Sequence, residues 1–100
     1  MMRFICLAGV ALMAAGQASA GRIEEACLKS ERARGQRALC GCIQDAADMT
    51  LNARDQKLAA SFFEDPHRAQ EVRQSDSRRN EAFWERYENF GVAAETFCQR

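Results

Sequence analysis

Cys40 and Cys42 stand one residue apart in the run CGCIQDAADMTL, and two thiols that close can serve three kinds of chemistry. As thiolates they bind a soft ion such as Cu(I) or zinc. As a dithiol they exchange electrons with another disulfide. Oxidised to other cysteines, they hold a fold together. Beyond the first 20 residues the chain carries one histidine, His67, and one methionine, Met49, and neither lies at ligand spacing to the cysteines. Metal binding through Cys40 and Cys42 is therefore the weakest alternative. Thiol–disulfide catalysts place two residues between their cysteines, in an α/β setting; here there is one, and no strand pattern. A Cys40–Cys42 bond within a helix is also disfavoured, because residues two apart point about 200° away from each other. The pair reads as two structural staples with different partners.

The start of the chain has the pattern of a secretory signal over residues 1–20. Arg3 precedes an uncharged apolar run from Phe4 to Ala15, and Ala18-Ser19-Ala20 forms a small-residue cleavage motif, with Gly21 as the mature start. The apolar run is shorter than the ~20 residues that span a bilayer comfortably. Cys6 lies ahead of the cleavage motif, where it cannot carry a lipid anchor. Export to the periplasm or exterior is the expectation, with residues 21–100 as one domain.

Of the five cysteines, Cys27, Cys40, Cys42 and Cys98 remain after the leader. An even number in a small exported chain implies a disulfide framework, which a core of this size needs. Of 14 basic side chains only Arg3 falls in the leader, leaving 13 against 14 acidic ones. That balance gives no electrostatic footprint for nucleic acid or for an anionic membrane surface.

The elements that position these residues all read as helices, giving an all-α bundle of four to five helices stapled by two disulfides. The run GRIEEACLKSERAR carries Ile23, Ala26, Cys27 and Ser30 at helical spacing, and Gly35-Gln36 breaks it. The next helix, from about Arg37, places Leu39, Cys42, Ile43, Ala46 and Met49 on one stripe, with Cys40 outside it. Asn52 caps a third helix, with Asp55 favouring its first turn and Leu58, Phe62 and Phe63 on its buried face. Asp65-Pro66 opens a short fourth helix through Arg73, and Ser75-Asp76-Ser77 precedes a last helix from about Arg78 to Cys98. Its stripe of Phe83, Trp84, Tyr87, Phe90, Ala94, Phe97 and Cys98 reads as core in preference to a ligand wall. Folding the first two helices back at Gly35-Gln36 sets Cys27 level with Cys42. This register favours Cys27–Cys42 with Cys40–Cys98 over Cys27–Cys40 with Cys42–Cys98.

No haem-attachment, phosphate-loop or zinc-protease motif is present, and His67 follows a helix-starting proline, with Asp65 or Glu71 as a candidate carboxylate partner. The chain reads as a non-enzyme that needs no cofactor. The remaining candidate is a mixed-charge ridge of Asp65, His67, Arg68, Gln70, Glu71 and Arg73, suited to a partner protein or a small zwitterionic ligand.

The pieces Cys40-Gly41-Cys42-Ile43-Gln44, Asp65-Pro66-His67-Arg68-Ala69-Gln70 and Phe83-Trp84 carry a resemblance to a family of small exported alphaproteobacterial proteins, over nearly all of residues 22–98. Members often bear the automatic label "arginine transporter". What the resemblance implies is a periplasmic accessory role, with a small basic ligand such as arginine as the alternative to a protein partner.

Overall fold

A computed structural model describes residues 21–98, so the expected leader and its cleavage site lie outside the described residues. Five helices follow in order: α1 Arg22–Lys29, α2 Arg37–Thr50, α3 Ala53–Glu64, α4 Pro66–Arg73 and α5 Arg78–Cys98. The described residues are joined by two disulfides, Cys27–Cys40 and Cys42–Cys98. The all-α stapled bundle is thus the observed architecture.

Local signals set most of the boundaries. The Asn52 side chain accepts the Asp55 N–H at 2.8 Å, and the Asp55 carboxylate accepts the Asn52 N–H at 3.3 Å. This is a complete capping box, with aspartate in the place more often held by glutamate. Pro66 occupies the first turn of α4, where its missing N–H costs nothing. Asp65 precedes it as expected but makes no side-chain cap. Ser77 closes the start of α5, its hydroxyl accepting the Asn80 N–H at 3.1 Å.

Helix α1 ends earlier than its sequence pattern suggests. The Ser30 hydroxyl donates to the Cys27 carbonyl at 2.8 Å, and the Ser30 N–H reaches the same oxygen at 3.1 Å. Residues 30–36 then form a wide turn that closes at Gly35, whose φ of 80° is open to glycine and strained for other residues.

Helix α2 is the centre of the bundle. It packs on α1 and most extensively on α5, while α1 also packs on α3 and α3 on α4 and α5. Cys40, Gln44, Ala46, Ala47 and the following Leu51 are buried, and Met49 is 62 % exposed. Of the stripe Leu39, Cys42, Ile43, Ala46 and Met49, Ala46 enters the core and Ile43 packs against it, whereas Met49 faces water and the fuller burial lies at Cys40, Gln44 and Ala47. A helix covered by neighbours on two sides has no single apolar stripe. The main core joins Ile23, Ala46, Ala47, Leu51, Ala59, Phe62, Val72, Phe83 and Phe90. Within it Phe62 meets the edges of Phe83 and Tyr87, with ring centroids 6.0 and 5.4 Å apart. The aromatic residues of α5 from Phe83 to Phe90 face inward as core.

A buried amide ties three helices together. Gln44 accepts the Glu24 N–H at 2.8 Å, capping the first turn of α1 from outside because Gly21 has no side chain to do so. Its own NH2 group donates to Asp48 at 2.9 Å and to Gln56 at 2.8 Å. Gly21 packs so closely that a β-carbon there would overlap the Gln44 carboxamide. Gly21→Ala should therefore expel Gln44, at about 1–2 kcal/mol for the lost cap and amide bonds. In a Gln44→Ala background the same change should be close to neutral. Urea unfolding of the four proteins checks this, and an equal penalty in both backgrounds would sink the explanation.

Candidate functional site

The two disulfides branch from a single turn of α2, and their surroundings differ. Cys27 and Cys40 are 1 % and 0 % exposed and sit with Ala33 in a small cluster under the 30–36 turn. Cys42 and Cys98 are half-buried. The expected branching from Cys40 and Cys42 to different helices is present, but the favoured register is overturned: Cys40 takes Cys27, and Cys42 takes Cys98. The early stop of α1 explains the difference. With the chain leaving the helix at Ser30 and crossing by a wide turn, Cys27 comes level with Cys40, at a Cα separation of 5.6 Å. Both cysteines of the CGC run are consumed in bonds to other elements. The thiolate pair that a metal site through Cys40 and Cys42 requires is thereby not formed, and the metal reading falls.

The clamped end carries a feature that the sequence reading passed over. Gln36, Arg37, Ala38 and Leu39 of the α2 start and Phe97 of the last α5 turn surround the Cys42–Cys98 bond, lining an open hollow of about 810 Å³. Phe97 is 65 % exposed. The sequence assigned Phe97 to the core stripe, and helical spacing does place it there. The stripe simply outruns the core, because the last buried side chain of α5 is Phe90.

The mixed-charge ridge is brought together on α4. Asp65, His67, Arg68, Gln70, Glu71 and Arg73 are all exposed, while Ala69 and Val72 turn inward and hold the helix on the bundle. His67 Nε2 lies 3.9 Å from Glu71 on the same helix, both side chains largely in water. Pairs of this kind contribute little to stability. The nearby hollow between the end of α1, the 30–36 turn and the end of α3 has a volume of about 830 Å³. Its floor includes Ile43, Phe62 and Phe63, and Lys29, Arg32, Glu31 and Glu64 stand on its walls.

No family model, curated protein or solved structure matches the chain. The geometry of these surfaces therefore carries the functional argument, together with the compartment that two disulfides imply. Such bonds persist in oxidising surroundings. No helix among the described residues is long and apolar enough to cross a membrane.

One buried charge lies away from both hollows. Arg86 reaches Asp55 with two hydrogen bonds, Nε to Oδ2 at 2.7 Å and Nη2 to Oδ1 at 3.0 Å, joining the start of α3 to the middle of α5. Sequence spacing flagged Asp55 as a first-turn acid but held no sign of a partner 31 residues away. The Arg86 hydrogen bonds hold the Asp55 carboxyl below its usual range, with the Asn52 N–H helping and burial opposing. The unfolded chain, with an ordinary carboxyl near pH ~3.9, then binds the proton first as pH falls. Asp55 should stabilise the fold fully above that value and lose its contribution as pH drops through the lower folded value. Urea titrations from pH 7 down to about 2.5 should show a shallower acid loss for Asp55→Asn than for the parent. Parallel profiles below pH ~4 would remove Asp55 from the acid response.

Proposed function

We propose that this chain is an exported, non-enzymatic interaction module that docks a partner protein at the clamped end of α2 and α5. The supporting observation is Phe97, a large aromatic held in solvent beside Leu39 and Arg37 by a covalent bond at its neighbour Cys98. Interfaces draw much of their energy from aromatic and arginine anchors, and an anchor fixed in advance loses less entropy on binding. The α4 ridge supplies a second, polar surface of the kind that tunes encounter and specificity.

The test uses a photo-crosslinking side chain at position 97, with position 79 on the outer start of α5 as control, in the compartment where the chain accumulates. A discrete adduct at 97 is expected, competed away by excess parent protein and not by Phe97→Glu. Adducts at neither position, or equal ones at both, would reject the docking end.

A small zwitterionic ligand with a basic group remains the second reading, favoured by the hollow at the end of α1, where Glu31 and Glu64 stand with Lys29 and Arg32 over an apolar floor. Titration calorimetry with arginine and lysine tests it. Absence of heat at millimolar ligand would end that reading.

A further inference from the structure

The geometry points to Cys42–Cys98 as a thiol-exchange site, a covalent clamp that a dithiol reductant opens while Cys27–Cys40 stays closed. Exchange requires a thiolate to approach one sulfur along the line of the S–S bond. Cys27 borders the hollow at the end of α1, but at 1 % and 0 % exposure Cys27 and Cys40 leave an attacking thiolate almost no surface. Cys42 and Cys98 lie half-buried on the wall of an open hollow of about 810 Å³, with Arg37 beside them to attract an incoming anion.

The clamp also governs a definable segment. Cys42 near the start of α2 is bonded to the last residue of α5, so the two helices run antiparallel along their shared interface. Up to Phe90, α5 is anchored without help from the clamp: Phe83 and Phe90 are buried, and Arg86 holds Asp55. Past Phe90 the anchors thin out. Gly91, Val92, Glu95, Thr96 and Phe97 are exposed, and only Ala93 and Ala94 pack on the core. Gly91 adds a weak helical position at the head of this segment. The Cys42–Cys98 bond is thus the covalent restraint on residues 91–98, beside the packing of Ala93 and Ala94.

A donor thiolate attacks one sulfur of the clamp, the S–S bond breaks, and the displaced cysteine leaves as a thiolate and takes a proton. The donor's second thiol then attacks the mixed disulfide and frees the other cysteine. Two electrons and two protons pass to Cys42 and Cys98, and the donor dithiol becomes a disulfide. The last two turns of α5 then swing from α2 and bare the side carrying Ala46, otherwise 1 % exposed. The donor class is an exported dithiol, and the site holds whether or not a partner docks at Phe97.

The experiment is a stepwise reduction of the oxidised chain with dithiothreitol under native conditions, followed by alkylation and peptide mapping. Cys42 and Cys98 should be labelled at least about tenfold faster than Cys27 and Cys40. Amide exchange over residues 91–98 should rise by at least about tenfold, with α1 to α3 unchanged. A Cys42→Ser/Cys98→Ser variant should reproduce that exchange pattern without reductant. Simultaneous labelling of all four cysteines, earlier labelling of Cys27 and Cys40, or unchanged exchange over 91–98 would each overturn the proposal.

Discussion

Replacing Phe62 with alanine should lower stability by about 3–5 kcal/mol, the range for truncating a buried aromatic. Phe62 is 6 % exposed and presents its ring to the edges of Phe83 and Tyr87, so it joins α3 to α5 where those helices share little other contact. A domain of this size has a margin of about 4–12 kcal/mol. The single truncation therefore removes a quarter or more of it, and the void cannot close easily because the facing rings are fixed by α5. Urea unfolding of the oxidised protein should show a midpoint lower by roughly 2–5 M at unchanged slope, for a slope near 1–1.5 kcal/mol/M. Phe62→Leu, which keeps most of the volume, should cost less than about 1.5 kcal/mol. A loss under about 1 kcal/mol for alanine would show that the aromatic cluster is not the joint between these helices.

Removal of the buried bridge by Cys27→Ala with Cys40→Ala should cost about 3 kcal/mol in loop-closure entropy, for a sequence separation of 13. The same arithmetic gives about 4 kcal/mol for Cys42–Cys98, with a separation of 56. The two losses should nonetheless look different. Without Cys27–Cys40, the fixed wide turn and the start of α2 lose their link to α1, so exchange protection should fall across α1 and residues 30–36. Without Cys42–Cys98, the native state regains entropy by loosening residues 91–98, which offsets part of the larger figure. Hydrogen exchange on the two double variants separates these cases. Identical exchange maps would show that both bridges act only on the unfolded chain.

Much of the local structure was legible in residues close together in sequence. Asn52 with Asp55 and Ser77 ahead of Arg78 mark helix starts because a cap is satisfied within about one turn, and Pro66 marks another because proline suits the first helical turn. The span of α5 could be read in the same way. Two linked inferences failed. The sequence pattern carries the first helix to the Gly35-Gln36 break, whereas Ser30 closes it at Lys29. That difference moves Cys27 along the face of α2 and exchanges its partner. The apolar stripe of α2 gives Ala46 and Ile43 to the core, whereas Cys40, Gln44 and Ala47 are buried from outside that stripe. Hydrophobic pattern carries little warning of a glutamine wholly satisfied inside the bundle, because its partners Glu24, Asp48 and Gln56 come from three helices.

The candidate sites divide along the same line. The α4 ridge was visible in advance, since a short polar helix with two small apolar anchors must face water. Phe97 was not, because periodicity gives a side chain's direction and says nothing about whether another element reaches far enough to cover it.

By itself, the sequence determined an all-helical chain with four cysteines beyond the leader-like segment, two of them diverging from one helix, because periodicity, caps and cysteine spacing act over a few residues. Only the tertiary structure decided which cysteine meets which, that Arg86 finds Asp55, and that α5 extends past its core with Phe97 exposed. Those outcomes depend on where a turn releases the chain and on which helix ends before its neighbour, and such distances are set by packing between elements far apart in sequence.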